Sequence, residues 1–157
     1  MMAKVIKEGA KAPAFSLFLD NGEQVKSKDL LGQKIVLYFY PKDDTPGCTK
    51  QAIAFTGDAA KFKRAGARII GVSRDTLAKH QKFKDKHSLK IDLGADEDGK
   101  VTEKFGVWVE KKMYGRKYMG IERSTFLIDE KGVIRKIWRK VKVPGHVEDV
   151  LAETKAI

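Results

Sequence analysis

Ile35-Val36-Leu37-Tyr38-Phe39-Tyr40 runs directly into Pro41-Lys42-Asp43-Asp44-Thr45-Pro46-Gly47-Cys48-Thr49, and this stretch decides the fold. Six apolar or aromatic residues without alternation, stopped by Pro41, read as a short central strand covered on both faces. Beyond the loop, Cys48, Ala52, Phe55, Ala59 and Phe62 recur at spacings of four, three, four and three. That is one apolar stripe on a single helix, predicted to end near Gly66. Cys48 therefore falls where a buried strand has ended and a helix begins.

Outward from this unit, Arg68 to Ser73 reads as a second buried strand, and Asp75 or Thr76 caps a helix through about His87. Ile91-Asp92-Leu93 predicts a brief strand, followed by a short helix near Lys100 to Phe105. Thr125 to Ile128 and Val133 to Trp138 flank Asp129-Glu130-Lys131-Gly132 as a hairpin, and Val147 to Lys155 closes the chain as a helix. On the N-terminal side, Phe15 to Leu19 is a strand turned by Asp20-Asn21-Gly22, since Asn-Gly supplies the positive φ that hairpin turns need. Ser27 to Gly32 reads as one N-capped helical turn ended by glycine, and Lys111 to Gly120 as a loop. Buried strands alternating with helices imply a parallel pair carrying an antiparallel edge. The expected fold is α/β: a thioredoxin-like three-layer sandwich, a central mixed β-sheet flanked by helices, with an N-terminal β-hairpin.

The 157 residues suit one domain, 1–157, because no repeat or Gly/Ser/Pro-rich linker divides them. No apolar run reaches the ~18 residues of a membrane span. Met1 to Ala14 lacks a continuous apolar stretch, so no secretory signal is expected, and the predicted location is cytoplasmic. One cysteine excludes an internal disulfide and a Cys-rich zinc site. Thirty-two Lys and Arg against 21 Asp and Glu leave a formal charge of +11, but the cations are spread over several segments. Solvated faces account for them better than nucleic-acid binding does, and steering toward an acidic reductant is a further use of the charge. His80, His87 and His146 lack metal-ligand spacing and read as surface histidines. Trp108 and Trp138 read as packing residues.

An ordinary cysteine, with a pKa of ~8.5, is only a few per cent thiolate at neutral pH. Helix N-termini favour the thiolate, although a lone cysteine is most often a small buried hydrophobe. Position alone leaves both readings open. The loop shifts the balance: Thr45 puts a hydroxyl three residues before the sulfur, Pro46 stiffens the first helical turn, and Gly47 allows close backbone approach. The backbone N–H groups of Gly47 and Cys48 are then available to an anion or a polarised oxygen.

Tyr40-Pro41, Asp44 to Thr49 and Glu122-Arg123-Ser124-Thr125-Phe126 together resemble a peroxiredoxin of the bacterioferritin-comigratory (Q-type) subfamily. The likeness runs from Gly9-Ala10-Lys11-Ala12-Pro13-Ala14-Phe15 through Lys111 to Gly120 and on to the terminal helix. The resemblance implies a thiol-dependent peroxidase acting on hydrogen peroxide and organic hydroperoxides, as a monomer, with no metal, haem or flavin. It makes Cys48 the peroxidatic nucleophile, Thr45 a hydrogen-bond partner of the peroxide, and Pro41 a shield of the sulfur. Arg123 then stabilises the thiolate and the transition state, a role its fixed fork of donors suits. The product at Cys48 is a sulfenic acid.

Many such relatives carry a second, resolving cysteine, but here Ile53 stands five residues after Cys48, and Lys84 occupies the other usual place. With no resolving cysteine, recycling must use an external thiol: thioredoxin, a glutaredoxin with glutathione, or a small thiol. The sulfenic acid should live longer and over-oxidise more readily at high peroxide. A thioredoxin-like disulfide reductase would want Cys-x-x-Cys, which neither Thr45 nor Gln51 supplies. A non-enzymatic redox sensor begins with the same oxidation, and turnover with a reductant separates it from a catalyst.

Overall fold

The structure is a computed structural model describing residues 6–157, so Met1 to Val5, part of the stretch read for a secretion signal, lie outside the described residues. Strands β1 (Ser16–Leu19) and β2 (Gln24–Lys26) form the N-terminal hairpin. A 3-10 turn (Ser27–Leu30) leads to β3 (Lys34–Phe39), then helices α1 (Pro46–Gly57) and α2 (Ala59–Arg64). The chain continues through β4 (Ala67–Ser73), α3 (Leu77–His87), β5 (Asp92–Ala95) and α4 (Lys100–Lys104). Strands β6 (Trp108–Met113), β7 (Arg116–Ile121), β8 (Ser124–Ile128) and β9 (Ile134–Trp138) precede α5 (His146–Ala156).

Seven strands make one mixed sheet in the order β2-β1-β5-β4-β3-β8-β9. The expected parallel pair is β3 with β4, and β5 adds a third parallel strand on the far side of β4. Antiparallel strands complete both edges. The mixed sheet flanked by helices is the expected sandwich. Alternation along β3 divides the core. Ile35, Leu37 and Phe39 join an apolar layer with Phe15, Phe105 and Phe126, whereas Val36, Tyr38 and Tyr40 meet α1, α2, α3 and α5. Gly71 on β4 makes room for this second layer. A β-carbon there would lie 2.7 Å from the Tyr38 hydroxyl, so only glycine lets the tyrosine ring cross β4.

Three local expectations are corrected. The helix predicted to run from Cys48 to Gly66 breaks between Gly57 and Asp58, because Gly57 is a poor helix former and Asp58 leaves helical geometry at φ −106, ψ 8. The apolar stripe survives, with Phe55 and Phe62 rings 5.8 Å apart. Ser27 does not cap its turn; its hydroxyl accepts a hydrogen bond from the Phe15 backbone N–H at 3.1 Å. Lys111 to Gly120 is no loop but most of a β6–β7 hairpin forming its own two-stranded sheet.

Candidate active site

The end of β3, the following loop and the first turn of α1 position Cys48. Thr45 stands in extended geometry before the helix, Pro46 occupies its first position, and Thr49 N–H donates to the Thr45 carbonyl at 2.9 Å. The N–H groups of Gly47 and Cys48 thus precede the first intrahelical bond. Cys48 is 2% exposed and sits in the helical layer of the core.

Arg123 arrives from the strand end preceding β8. Its Nη2 donates to Cys48 Sγ at 3.3 Å, and its Nη1 donates to Gln51 Oε1 at 2.6 Å. Gly47 admits it, since a β-carbon there would lie 3.2 Å from Nη2. Arg123 therefore faces the sulfur, while the neighbouring Glu122 faces Arg139 at 3.9 Å. Thr45 Oγ1 donates to the Lys42 carbonyl at 2.9 Å, which leaves its lone pairs free to accept a proton donor from a ligand. Pro41 is exposed and lines a crevice between the loop and the β6–β7 hairpin, together with Lys42, Trp108 and Lys111. Trp108 stacks on the Arg74 guanidinium at 3.4 Å, and Trp138 packs on the helical core layer, so both tryptophans are packing residues as read.

The sequence reading missed the group beneath the loop. Tyr40 Oη donates to Asp43 Oδ1 at 2.5 Å, and His80 Nδ1 meets Asp43 Oδ2 at 2.6 Å. His80 Nε2 lies 2.9 Å from the Gly94 carbonyl, an atom that can only accept, so this nitrogen carries a proton. Burial opposes charge on His80, but the hydrogen bond and charge of Asp43, the Gly94 carbonyl and Asp75 together raise its pKa. The Asp43 backbone N–H donates to Asp75 Oδ2 at 2.8 Å. At the surface, Asp44, held at φ 60, accepts from His87 Nε2 at 2.9 Å and Lys86 Nζ at 2.7 Å. These two bonds hold the Asp44 carboxyl below its ordinary range. Helix α3 thus clamps the loop that leads to Cys48.

The surface reading of the histidines is overturned for two of them. His80 is fully buried, and His146 is buried at the start of α5, where its Nε2 pairs with Thr125 Oγ1 at 2.8 Å. The usable signal lay in spacing. His80 stands three residues before Phe83 and shares its buried helix face, and Gln51 stands three residues after Cys48 on α1. Ile53 points outward from α1, while Lys84 Nζ pairs with the buried Asp20 carboxylate at 2.9 Å. That pair ties α3 to the N-terminal hairpin. Cys48 is a free thiol. Among the described residues no group of three or more His, Cys, Asp or Glu could hold a metal ion, and no helix is long and apolar enough to cross a membrane.

The AhpC/TSA family pattern matches residues 9–137. The chain is 53% identical to peroxiredoxin Bcp of Bacillus subtilis over 150 residues, 96% of each chain. It is 43% identical to peroxiredoxin Bcp of Escherichia coli over 146 residues, 93% of this chain and 94% of that one. A solved structure of the Xanthomonas campestris bacterioferritin comigratory protein, described for its alkyl peroxide reduction activity, superposes with a TM-score of 0.86. That protein is 44% identical, with 90% of each chain covered.

Proposed function

This chain belongs to the AhpC/TSA family and is a thiol-dependent peroxidase, and from that premise we propose that Cys48 is its peroxidatic nucleophile. The observation that carries the assignment is the Arg123 Nη2 to Cys48 Sγ contact of 3.3 Å at a helix N-terminus. The Cys48 thiolate attacks one oxygen of a hydroperoxide, a sulfur–oxygen bond forms, and the oxygen–oxygen bond breaks. The departing oxygen takes a proton and leaves as water or alcohol, and Cys48 becomes a sulfenic acid.

Arg123 faces both the sulfur and the site of developing negative charge, held in orientation by Gln51. Thr45, its own proton engaged by the Lys42 carbonyl, accepts the peroxide O–H. The free N–H groups of Gly47 and Cys48 face the same oxygen region, and Pro41 shields the sulfur from bulk water. Hydrogen peroxide and organic hydroperoxides are both substrates; the alkyl peroxide activity of the Xanthomonas relative supports the second class. The whole chain, 1–157, acts as one peroxiredoxin domain and as a monomer. Recycling uses an external thiol, thioredoxin or glutaredoxin with glutathione, which suits the reducing cytoplasm.

The test is the oxidation rate of Cys48 by hydrogen peroxide and by an organic hydroperoxide, measured against free cysteine with a sulfenic-acid trap. Rates orders of magnitude above free cysteine are expected, with a loss of ~10²–10³-fold in Arg123→Ala. A wild-type rate equal to that of free cysteine refutes the assignment.

A further inference from the structure

The β6–β7 hairpin takes no part in the main sheet, and its Lys111 and Tyr118 line one crevice with Pro41 and Lys42 of the loop that leads to Cys48. Its base is anchored: Val107 and Ile121 are buried, and Glu122 N–H donates to the Val107 carbonyl at 2.7 Å. Its outer part is not. Tyr114, at the tip, is 97% exposed, and Met113, Tyr118 and Met119 are exposed as well. Other large apolar side chains exposed among the described residues, Phe18, Leu31 and Ile53, lie on separate elements. Tyrosine and methionine gathered on one projecting element is the composition of a protein interface, not of a solvated ribbon.

Charge points to the kind of partner. The hairpin carries Lys111, Lys112, Arg116 and Lys117 against the single carboxylate of Glu110. Lys112 stands directly opposite Lys117 across the ribbon, a like-charge pairing that weakens an isolated hairpin and that an anionic surface would relieve. A second copy of this chain would bring the same cations and repel, so the fitting occupant is acidic.

Position points to its chemistry. Arg123 follows β7 by two residues, and Lys111 feels the charges of both Arg123 and Cys48. Cys48 is almost wholly buried and has no second cysteine to resolve it, so a reducing thiol must be waiting at the mouth when the sulfur becomes accessible. We propose that the β6–β7 hairpin is the docking surface for an acidic, dithiol-bearing protein that recycles Cys48, an inference that rests on the reading of Cys48 as the sulfur that is oxidised. One partner thiolate attacks Sγ of the sulfenic acid, a disulfide forms between the proteins, and the sulfur–oxygen bond breaks as the hydroxyl leaves with a proton as water. The partner's second thiolate attacks its own sulfur in that bridge, releasing Cys48 as thiolate and leaving the partner as a disulfide. Two electrons pass from the partner to Cys48.

The experiment reverses charge at exposed positions outside the reacting group, in the variant Lys112→Glu/Arg116→Glu/Lys117→Glu. Oxidation by peroxide is measured first. Protein already converted to the sulfenic acid is then reduced either by a purified thioredoxin of acidic isoelectric point or by dithiothreitol. The expected result is peroxide oxidation and dithiothreitol reduction within twofold of wild type, with thioredoxin reduction slowed ~10-fold or more and less sensitive to salt. Equal slowing with both reductants, or no slowing with thioredoxin, overturns the docking surface. So does a hairpin-dependent dimer in sedimentation, or hairpin-dependent retention of duplex DNA at physiological ionic strength with unchanged recycling. Failure of peroxide to oxidise wild-type Cys48 rapidly would instead strike the Cys48 assignment, because the reductive step starts from sulfenic acid made beforehand by prolonged incubation with one equivalent of peroxide.

Discussion

His80 and His146 are both buried on the helical side of the sheet, yet their surroundings drive them in opposite directions. His80 meets a carboxylate on one nitrogen and a carbonyl on the other, so both nitrogens donate and its pKa rises despite burial. His146 meets the Thr125 hydroxyl and the edges or faces of the Phe55 and Trp138 rings, with no carboxylate against its imidazole among the described residues. Burial lowers its pKa to about 4; Asp149 opposes this, while Arg123 adds to it. A helix N-terminus is also a poor place for a cation. Burial alone therefore does not decide the protonation of a histidine; the partner does. The one whose pKa is raised lies under the reactive loop, where its short bond to Asp43 fixes that carboxylate and through it the approach to Cys48.

The largest effect expected from breaking this contrast comes from Asp43→Asn, which leaves His80 buried without its carboxylate. Removing one partner of a buried pair costs ~3–5 kcal/mol. Thermal unfolding should fall by roughly 10 °C, and peroxide oxidation of Cys48 should slow as the loop loosens. An unchanged melting temperature would mean that the pair does not hold the loop.

Next in size is the pH response. His146 is neutral in the folded state down to pH about 4, whereas an ordinary histidine takes up its proton near pH 6.5. Between those values the unfolded chain binds more protons, so stability falls as pH drops from 6.5 to about 4. His80 has the opposite sign: its raised pKa adds stability that is complete below 6.5 and is lost as pH rises through the folded-state value. Melting curves across pH should therefore show His146→Gln flattening the acid side and His80→Gln flattening the alkaline side. The same slope in wild type and variant would remove that histidine from the account.

Thr125→Val sharpens the comparison on a smaller scale. It leaves a buried imidazole nitrogen without a partner, at a cost of ~1–3 kcal/mol, while Cys48 oxidation keeps its wild-type rate. A slowed oxidation would show that the two histidine regions are coupled. The smallest effect belongs to Lys86→Ala. Its pair with Asp44 lies at the surface, and thermal unfolding should not move measurably. A clear drop would mean that the outer clamp on the loop carries weight beside the inner one.

Much of this was legible in sequence because it is written in short-range patterns. The unbroken run Ile35 to Tyr40, the stripe from Cys48 to Phe62 and the turn at Asp129 to Gly132 depend on spacing and turn chemistry within a few residues. The β6–β7 hairpin was not legible because its exposed strands lack an apolar alternation to bury. Its Tyr114-Gly115 turn, with both residues at positive φ, is visible only in the backbone. The helix break at Asp58 escaped for a related reason, since the apolar stripe continues across it.

What the sequence by itself determined was the position of one cysteine at a strand-to-helix junction, preceded by Thr45, Pro46 and Gly47. Local conformation follows from neighbours, and these neighbours set the first turn of α1. Tertiary structure alone decided which distant groups meet there. Arg123 lies 75 residues along the chain from Cys48 yet donates to its sulfur, and His80 reaches Asp43 across 37 residues. Partners so far apart are chosen by how the sheet and helices pack, and the charge state of a buried group depends on those partners more than on its own identity.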